Sequence, residues 1–231
     1  MIQLEHIIKK YKMGGEEIHA LADVSLNIDK GEYVAIIGPS GSGKSTLMNI
    51  IGCLDAADSG TYSLDGKPIE KYNQRQLAKI RSTHIGFIFQ GFNLLSKLTA
   101  LENVELPLVY QNISAGERKK RAGQPLTQVG LKDRMRHRPN QLSGGQQQRA
   151  AIARALAANP SLILADEPTG NLDKKTGLEI MDLFHELHKA GNTIVIITHD
   201  PSIAARAQRV IRMEDGHIWE EGKESHDLPV A

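Results

Sequence analysis

Tyr33-Val34-Ala35-Ile36-Ile37 is a short apolar run that stops at Gly38, and Pro39-Ser40-Gly41-Ser42-Gly43-Lys44-Ser45 follows at once. The hydrophobic period then changes, with Leu47, Ile50, Ile51 and Leu54 at i, i+3, i+4 and i+7. Buried strand, glycine loop and helix in that order form a phosphate-binding loop, which commits the chain to an α/β sheet with nucleotide at the strand's C-terminal end. Glycine lets the loop curl until successive N–H groups face the phosphates, and the helix adds its positive end. Gly38, Ser40, Gly41, Ser42 and Gly43 are therefore candidate phosphate-binding positions. Lys44 is placed to reach the β- and γ-phosphates, Ser45 to offer its hydroxyl to Mg²⁺, and Thr46 to add a phosphate contact.

The rest of the chain repeats this rhythm. Gly86–Phe89, Leu162–Ala165, Thr193–Thr198 and Arg209–Met213 read as further buried strands, and Thr176–Ala190 as a helix with Gly191 at its C-cap. Alternating strands and helices predict a mostly parallel P-loop NTPase core. Two regions depart from it. The first thirty residues and Thr61–Ile69 alternate in polarity around Gly14-Gly15 and Asp65-Gly66, which predicts a small antiparallel β subdomain. Residues 92–141 are rich in helix formers and predict an inserted helical subdomain, leaving 1–91 and 142–231 as the nucleotide-binding core of one domain. Within the insert, Pro125 is expected to break or begin a helix. Arg118-Lys119-Lys120-Arg121 reads as a solvated helix face, with anionic lipid or a partner as the other reading. Glu220–Ala231 is polar and expected to fray.

Composition removes several classes of function. A net charge of +1 argues against a nucleic-acid protein. Cys53 is the one cysteine, so no internal disulfide forms, and it reads as a small core residue on an apolar helix face. No apolar run approaches the ~18 residues needed to cross a bilayer, and the stretch from Met1-Ile2-Gln3-Leu4-Glu5 has no signal-peptide h-region, so no signal peptide is expected there.

Leu142-Ser143-Gly144-Gly145-Gln146 is a second anion site, 98 residues beyond Lys44 (142−44). Ser143 is a good N-cap, and the amides of Gly144 and Gly145 at a helix start suit a γ-phosphate. A chain needs one cradle per nucleotide, so the second is expected to cap a nucleotide held by another copy. Leu162–Ala165 runs into Asp166 and Glu167, acids that should emerge where ligands bind. Asp166 would support Mg²⁺ and Glu167 would act as general base, the competing reading being that both chelate the metal. His199 directly follows a buried strand and is a candidate to bond the γ-phosphate or the attacking water. His185 and His188 have the wrong spacing for a zinc helix and read as solvated. Tyr11 offers an aromatic face on which adenine could stack. Gln90 follows a short strand and by spacing alone is an ordinary loop amide.

Taken in order, the phosphate loop, Gln90, Leu142–Gln146, Asp166-Glu167, Asn171-Leu172-Asp173 and His199 resemble the nucleotide-binding subunit of an ATP-binding cassette transporter. The resemblance runs from Tyr11 to about Gly222. Phe92-Asn93-Leu94-Leu95, Leu98–Pro107 and Glu167–Asp173 resemble the branch that serves macrolide export and lipoprotein release. Gln124-Pro125 departs from similar proteins, which continue a helix there.

The resemblance implies a mechanism. Two copies form a homodimer head to tail, with ATP between one phosphate loop and the other copy's Ser143, Gly144, Gly145 and Gln146. Glu167 polarises water, His199 holds it, Gln90 senses γ-phosphate and Mg²⁺, and Asp173 relays between copies. An integral membrane permease subunit would press on Phe92–Leu101 and hold the chain at the cytoplasmic face of the cell membrane.

A DNA-repair ATPase with paired sites would need a coiled coil that a 98-residue gap (142−44) cannot hold. A translation factor of the superfamily would carry two cassettes, and a small-molecule kinase would leave Leu142–Gln146 unexplained. A regulatory ATPase that drives a cell-wall hydrolase or a sensor stays open, because only the partner differs.

Overall fold

The computed structural model describes residues 1–220. The frayed end expected from Glu220 to Ala231 therefore lies, past its first residue, outside the described residues. In chain order the elements are β1 (Ile2–Met13), β2 (Glu16–Ile28), β3 (Tyr33–Ile37), α1 (Lys44–Ile51), β4 (Ser59–Leu64), β5 (Lys67–Pro68), α2 (Gln74–His84), β6 (Ile85–Phe89), α3 (Ala100–Tyr110), α4 (Ala115–Gln128), α5 (Gly144–Ala157), β7 (Leu162–Asp166), α6 (Lys174–Lys189), β8 (Thr193–Thr198), α7 (Pro201–Ala204), β9 (Arg209–Glu214) and β10 (His217–Glu220). They fall into two compact units, Met1–Lys71 with the chain from Ile197 onward, and Tyr72–Ile196.

The first unit holds the predicted antiparallel sheet, in the order β2-β1-β4-β5. Its turns fall at Gly14-Gly15 and at Asp65-Gly66, with positive φ at all four residues. Polar and apolar residues alternate over the last stretch of β2, so Val24, Leu26 and Ile28 are buried while Ser25 and Asn27 face outward. Leu21 is buried as well because the register shifts at Asp23, which has φ +62. β3 is buried along its whole length and pairs in parallel with β9, Val34 opposite Arg209 through Ile37 opposite Arg212. A strand covered on both faces reads as a continuous apolar run, which is what Tyr33–Ile37 shows.

Leu47, Ile50 and Ile51 of α1 are buried as the helical period requires, but the helix ends at Ile51. Two expectations are corrected there. Leu54 is 49% exposed rather than on the buried stripe, and Cys53 is buried just past the helix with φ +55 rather than on its face. Tyr62 closes this end by donating its hydroxyl to the Ile51 carbonyl at 2.7 Å.

In the second unit β6 and β7 pair in parallel, Ile85 opposite Leu162 through Phe89 opposite Asp166. α5 packs on β6 at a point that admits no side chain, since a Cβ at Gly86 would lie 2.9 Å from the Ala155 carbonyl oxygen. α3 and α4 pack on each other and both pack on α5. α3 opens with a capping box between Thr99 and Glu102, and its buried Asn103 donates to the Leu95, Leu98 and Thr99 carbonyls.

Pro125 corrects another expectation: it lies inside α4, which continues to Gln128. It removes one amide donor, to the carbonyl of exposed Arg121, where water can substitute. α6 starts at Lys174, capped by Asp173, and Gly191 follows its end with φ +95. β8 runs across the boundary between the two units.

Candidate active site

The loop between β3 and α1 is shaped by close approach as well as by backbone freedom. A Cβ at Gly38 would lie 1.9 Å from the Met213 carbonyl oxygen. Gly43, with φ +102, is the N-cap of α1, and its Cβ would lie 2.3 Å from the Ala20 carbonyl oxygen. Gly41 has φ +83 with open space around it. No side chain caps α1, so its first-turn amides and the helix dipole are offered to an anion.

Lys44 curls back over the loop and donates to the Gly38 and Pro39 carbonyls at 2.8 and 2.7 Å and to Ser42 Oγ at 3.3 Å. Ser42 is buried and its carbonyl accepts from the Gly216 amide at 3.1 Å, which ties the loop to the β9–β10 turn. Ser40 and Ser45 are exposed and Thr46 is half-buried. A triphosphate fits this cradle, because a basic side chain and uncapped amides converge where any Cβ at Gly38 or Gly43 would collide.

Tyr11 stands in the same unit, 38% exposed. Its hydroxyl donates to Asp55 Oδ2 at 2.9 Å, and the Lys9 ammonium lies 5.3 Å from its ring centroid. Lys9 is itself buried and donates to Asp55 Oδ1 at 2.9 Å and to the Ala56 carbonyl at 2.8 Å. Partial burial pulls the Asp55 pKa upward. The hydrogen bonds from Lys9, the Ala56 amide and Tyr11 outweigh it and hold the carboxyl below its ordinary value. Burial first, then the bond to Asp55, raises the Tyr11 phenol. His199, at the end of β8, is exposed, and Asp200 beside it caps α7.

In the second unit the pairing of Phe89 with Asp166 puts Gln90 and Glu167 one residue past the same rung, on adjacent parallel strands. The two amides of Gln90 and Asn171 lock together: Gln90 Nε2 donates to Asn171 Oδ1 at 3.2 Å, and Asn171 Nδ2 donates to the Gln90 carbonyl at 3.1 Å. Gly170 leaves room for this, since its Cβ would lie 2.5 Å from Gln90 Nε2. Glu167 has φ +44, a left-handed conformation that residues with a Cβ seldom adopt and that marks functional sites.

Ser143 caps α5 in a capping box with Gln146, accepting from the Gln146 amide at 3.3 Å while Gln146 Oε1 accepts from the Ser143 amide at 3.0 Å. The first-turn amides of Gly144 and Gly145 have no acceptor within the helix. Packing accounts for Gly145, whose Cβ would lie 2.4 Å from Thr176 Cγ2 of α6. Asp173 caps α6, and its bonds to the Thr176 side chain and amide hold its carboxyl below the ordinary value.

Four contributors escape sequence reasoning. Lys9 and Asp55 brace Tyr11 as described. Arg154 of α5 donates to the Phe92 carbonyl at 3.0 Å and to the Asn93 carbonyl, both residues having positive φ, and so clamps the loop after Gln90. Gln148 is wholly buried and donates to the Pro168 carbonyl at 2.7 Å. Its sequence signal is a polar residue in the buried stripe Gly145, Gln148, Ile152, Ala155.

Loop, flanking strands and helix make the protein a P-loop nucleotide-binding α/β protein. The chain belongs to the ABC transporter family, whose model it matches over residues 21–170. It is of that family's ATP-binding, ATP-hydrolysing type. The uncharacterized ABC transporter ATP-binding protein YknY of Bacillus subtilis (strain 168) is 55% identical over 218 residues, 94% of this chain and 95% of that protein. The macrolide export ATP-binding/permease protein MacB of Bradyrhizobium diazoefficiens is 54% identical over 94% of this chain, which spans 33% of MacB. Among solved structures, the dimeric ATP-binding cassette MJ0796 bound to ADP and Pi has a TM-score of 0.88 at 52% identity, over 96% of this chain and 98% of that one.

Proposed function

We propose that the chain powers a separate integral membrane permease subunit, of the kind that exports compounds or releases lipoproteins, by ATP-driven pairing of two copies. The observation that carries this reading is that one chain holds two glycine-bordered helix starts, at Gly43 and at Ser143, each suited to an anion. The likeness to a dimeric cassette and to the ATP-binding third of MacB supports it. No helix among the described residues is long and apolar enough to cross a membrane. In this reading the partner holds the chain at the cytoplasmic face. Residues 92–141 form the helical insert that meets the permease, with half-buried Leu94 and exposed Leu95 in the surface after Gln90.

In this reading Lys44 and the amides of Gly41, Ser42 and Gly43 bind the β- and γ-phosphates, Tyr11 stacks on the base, and Gly38, Ser40 and Thr46 complete the cradle. Ser45, Gln90 and Asp166 are oxygen donors suited to Mg²⁺, which neutralises charge on the phosphates when bound. Glu167 takes the proton of the attacking water and His199 orients that water. Ser143, Gly144, Gly145 and Gln146 of the second copy donate to the γ-phosphate, and Asp173 links the copies.

Glu167→Gln tests the core of this assignment. Turnover should fall at least about 100-fold while ATP still binds and stabilises a pair of twice the monomer mass. Near-normal turnover would remove Glu167 from the base role. The same variant, trapped with ATP in membranes of the source cell, should retain a membrane protein with a large extracytoplasmic domain. Recovery of a hydrolase-regulating membrane protein instead would replace transport with regulation.

A further inference from the structure

We infer that Gln148 is a positioning residue for hydrolysis, its buried amide fixing the Glu167-Pro168 turn and with it the direction of the Glu167 carboxylate. The inference rests on Glu167 being the general base.

Packing alone does not explain a glutamine here. Gln148 lies on the second turn of α5, within the buried stripe Gly145, Gln148, Ile152, Ala155, and has no exposed surface. An amide is costly in such a place unless both of its ends are bonded. The Nε2 end donates to the Pro168 carbonyl at 2.7 Å, while Oε1 has no hydrogen-bond partner. A methionine would fill the space and remove the orphaned Oε1 but would leave the buried Pro168 carbonyl without this donor, so one unpaired acceptor replaces another and stability by itself gives little reason for an amide. What the amide adds is a fixed point on the backbone directly after Glu167.

That backbone needs fixing. Glu167 holds φ +44, and a side-chain-bearing residue keeps such a conformation only where its surroundings over-determine it. On one side, Asp166 is held by pairing with Phe89. On the other, Pro168 is held by Gln148, and the turn is closed by the Gly170 amide donating to the Glu167 carbonyl at 3.0 Å. The Gln90–Asn171 amide pair fixes the far end. Gln148 is thus an anchor of this turn supplied by α5, the helix that Ser143 begins five residues earlier (148−143). Phosphoryl transfer depends on placement, and an error of about 1 Å in a group that orients the nucleophile costs about 100-fold.

Two variants of the full chain test this, measured for kcat, KM for ATP, ATP affinity and melting temperature. Gln148→Met keeps the length and removes the donor. It should lower kcat about tenfold or more, leave KM and affinity within about twofold, and shift the melting temperature by no more than about a few degrees, because an unpaired Pro168 carbonyl replaces an unpaired Oε1. Gln148→Glu should be inactive when ionised and regain hydrolysis as pH falls, because the protonated carboxyl can again donate to the Pro168 carbonyl; the wild type should show no such gain. Wild-type kcat in Gln148→Met, ATP affinity falling in step with kcat, or a flat pH profile for Gln148→Glu would each overturn the inference. Glu167→Gln run alongside keeps the two claims apart. If it retains turnover, the base assignment fails, whereas an inactive Glu167→Gln beside a fully active Gln148→Met refutes the positioning role alone.

Discussion

Alanine substitutions along the phosphate loop separate two costs that glycine avoids there. At Gly41 an added Cβ meets nothing within 4 Å, so only the left-handed φ of +83 is strained. That strain is about 1–2 kcal/mol, a factor of roughly 5–30 in stability or binding. Gly38 has no positive φ, but its Cβ would sit 1.9 Å from the Met213 carbonyl oxygen. Met213 lies in β9, one residue past the Ile37–Arg212 rung, so relief means lifting the loop off a paired strand. Overpacking of that kind costs about 1–3 kcal/mol or more. Gly43 carries both penalties, φ +102 and a Cβ 2.3 Å from the Ala20 carbonyl oxygen, for about 2–5 kcal/mol in sum. Urea unfolding without nucleotide, followed by ATP titration, should therefore rank the losses Gly43→Ala, Gly38→Ala, Gly41→Ala. A Gly43→Ala protein as stable and tight-binding as wild type, or one less affected than Gly41→Ala, would refute the geometric reasoning.

Tyr11→Ala should weaken ATP binding while sparing both the rate at saturation and the affinity for inorganic tripolyphosphate, which has no base to stack; unchanged ATP affinity would reject stacking. Asp55 is held below its ordinary pKa, so its contribution to stability is complete above the unfolded carboxylate value of about 3.9 and is lost as pH falls through the lowered folded value. Melting temperature followed through that acid range should drop less in Asp55→Asn than in wild type.

Local order made the phosphate loop legible, since Tyr33–Ile51 carries its strand, turn and helix within one short span. The paired ends Asp166-Glu167 were legible for a similar reason, because a run of buried apolar residues cannot continue into two acids. Helix ends were less so. The stripe that predicted Leu54 continues in the sequence past the turn at Gly52 and Cys53, where the backbone leaves the helix. Pro125 misled in the opposite direction, since a helix tolerates one missing donor when the freed carbonyl belongs to an exposed residue. α2 gave little signal because only Leu77 and Ile80 of its eleven residues are buried. The braces on the site were hidden because their partners are distant: Lys9 bonds Asp55, Arg154 bonds the carbonyls of Phe92 and Asn93, and Gln148 bonds that of Pro168. A backbone carbonyl has no side-chain identity, so no residue pattern announces it.

The central claim is that one copy's phosphate loop works with another copy's Ser143. Mixing Lys44→Ala protein with Ser143→Arg protein tests it most directly, by steady-state ATP hydrolysis. Each variant alone should be inactive. A mixed pair keeps one intact site, made of Lys44 from one protomer and Ser143 from its partner, so an equal mixture should recover up to roughly a quarter of the wild-type rate. No recovery on mixing, or full hydrolysis by Ser143→Arg alone, would contradict the account.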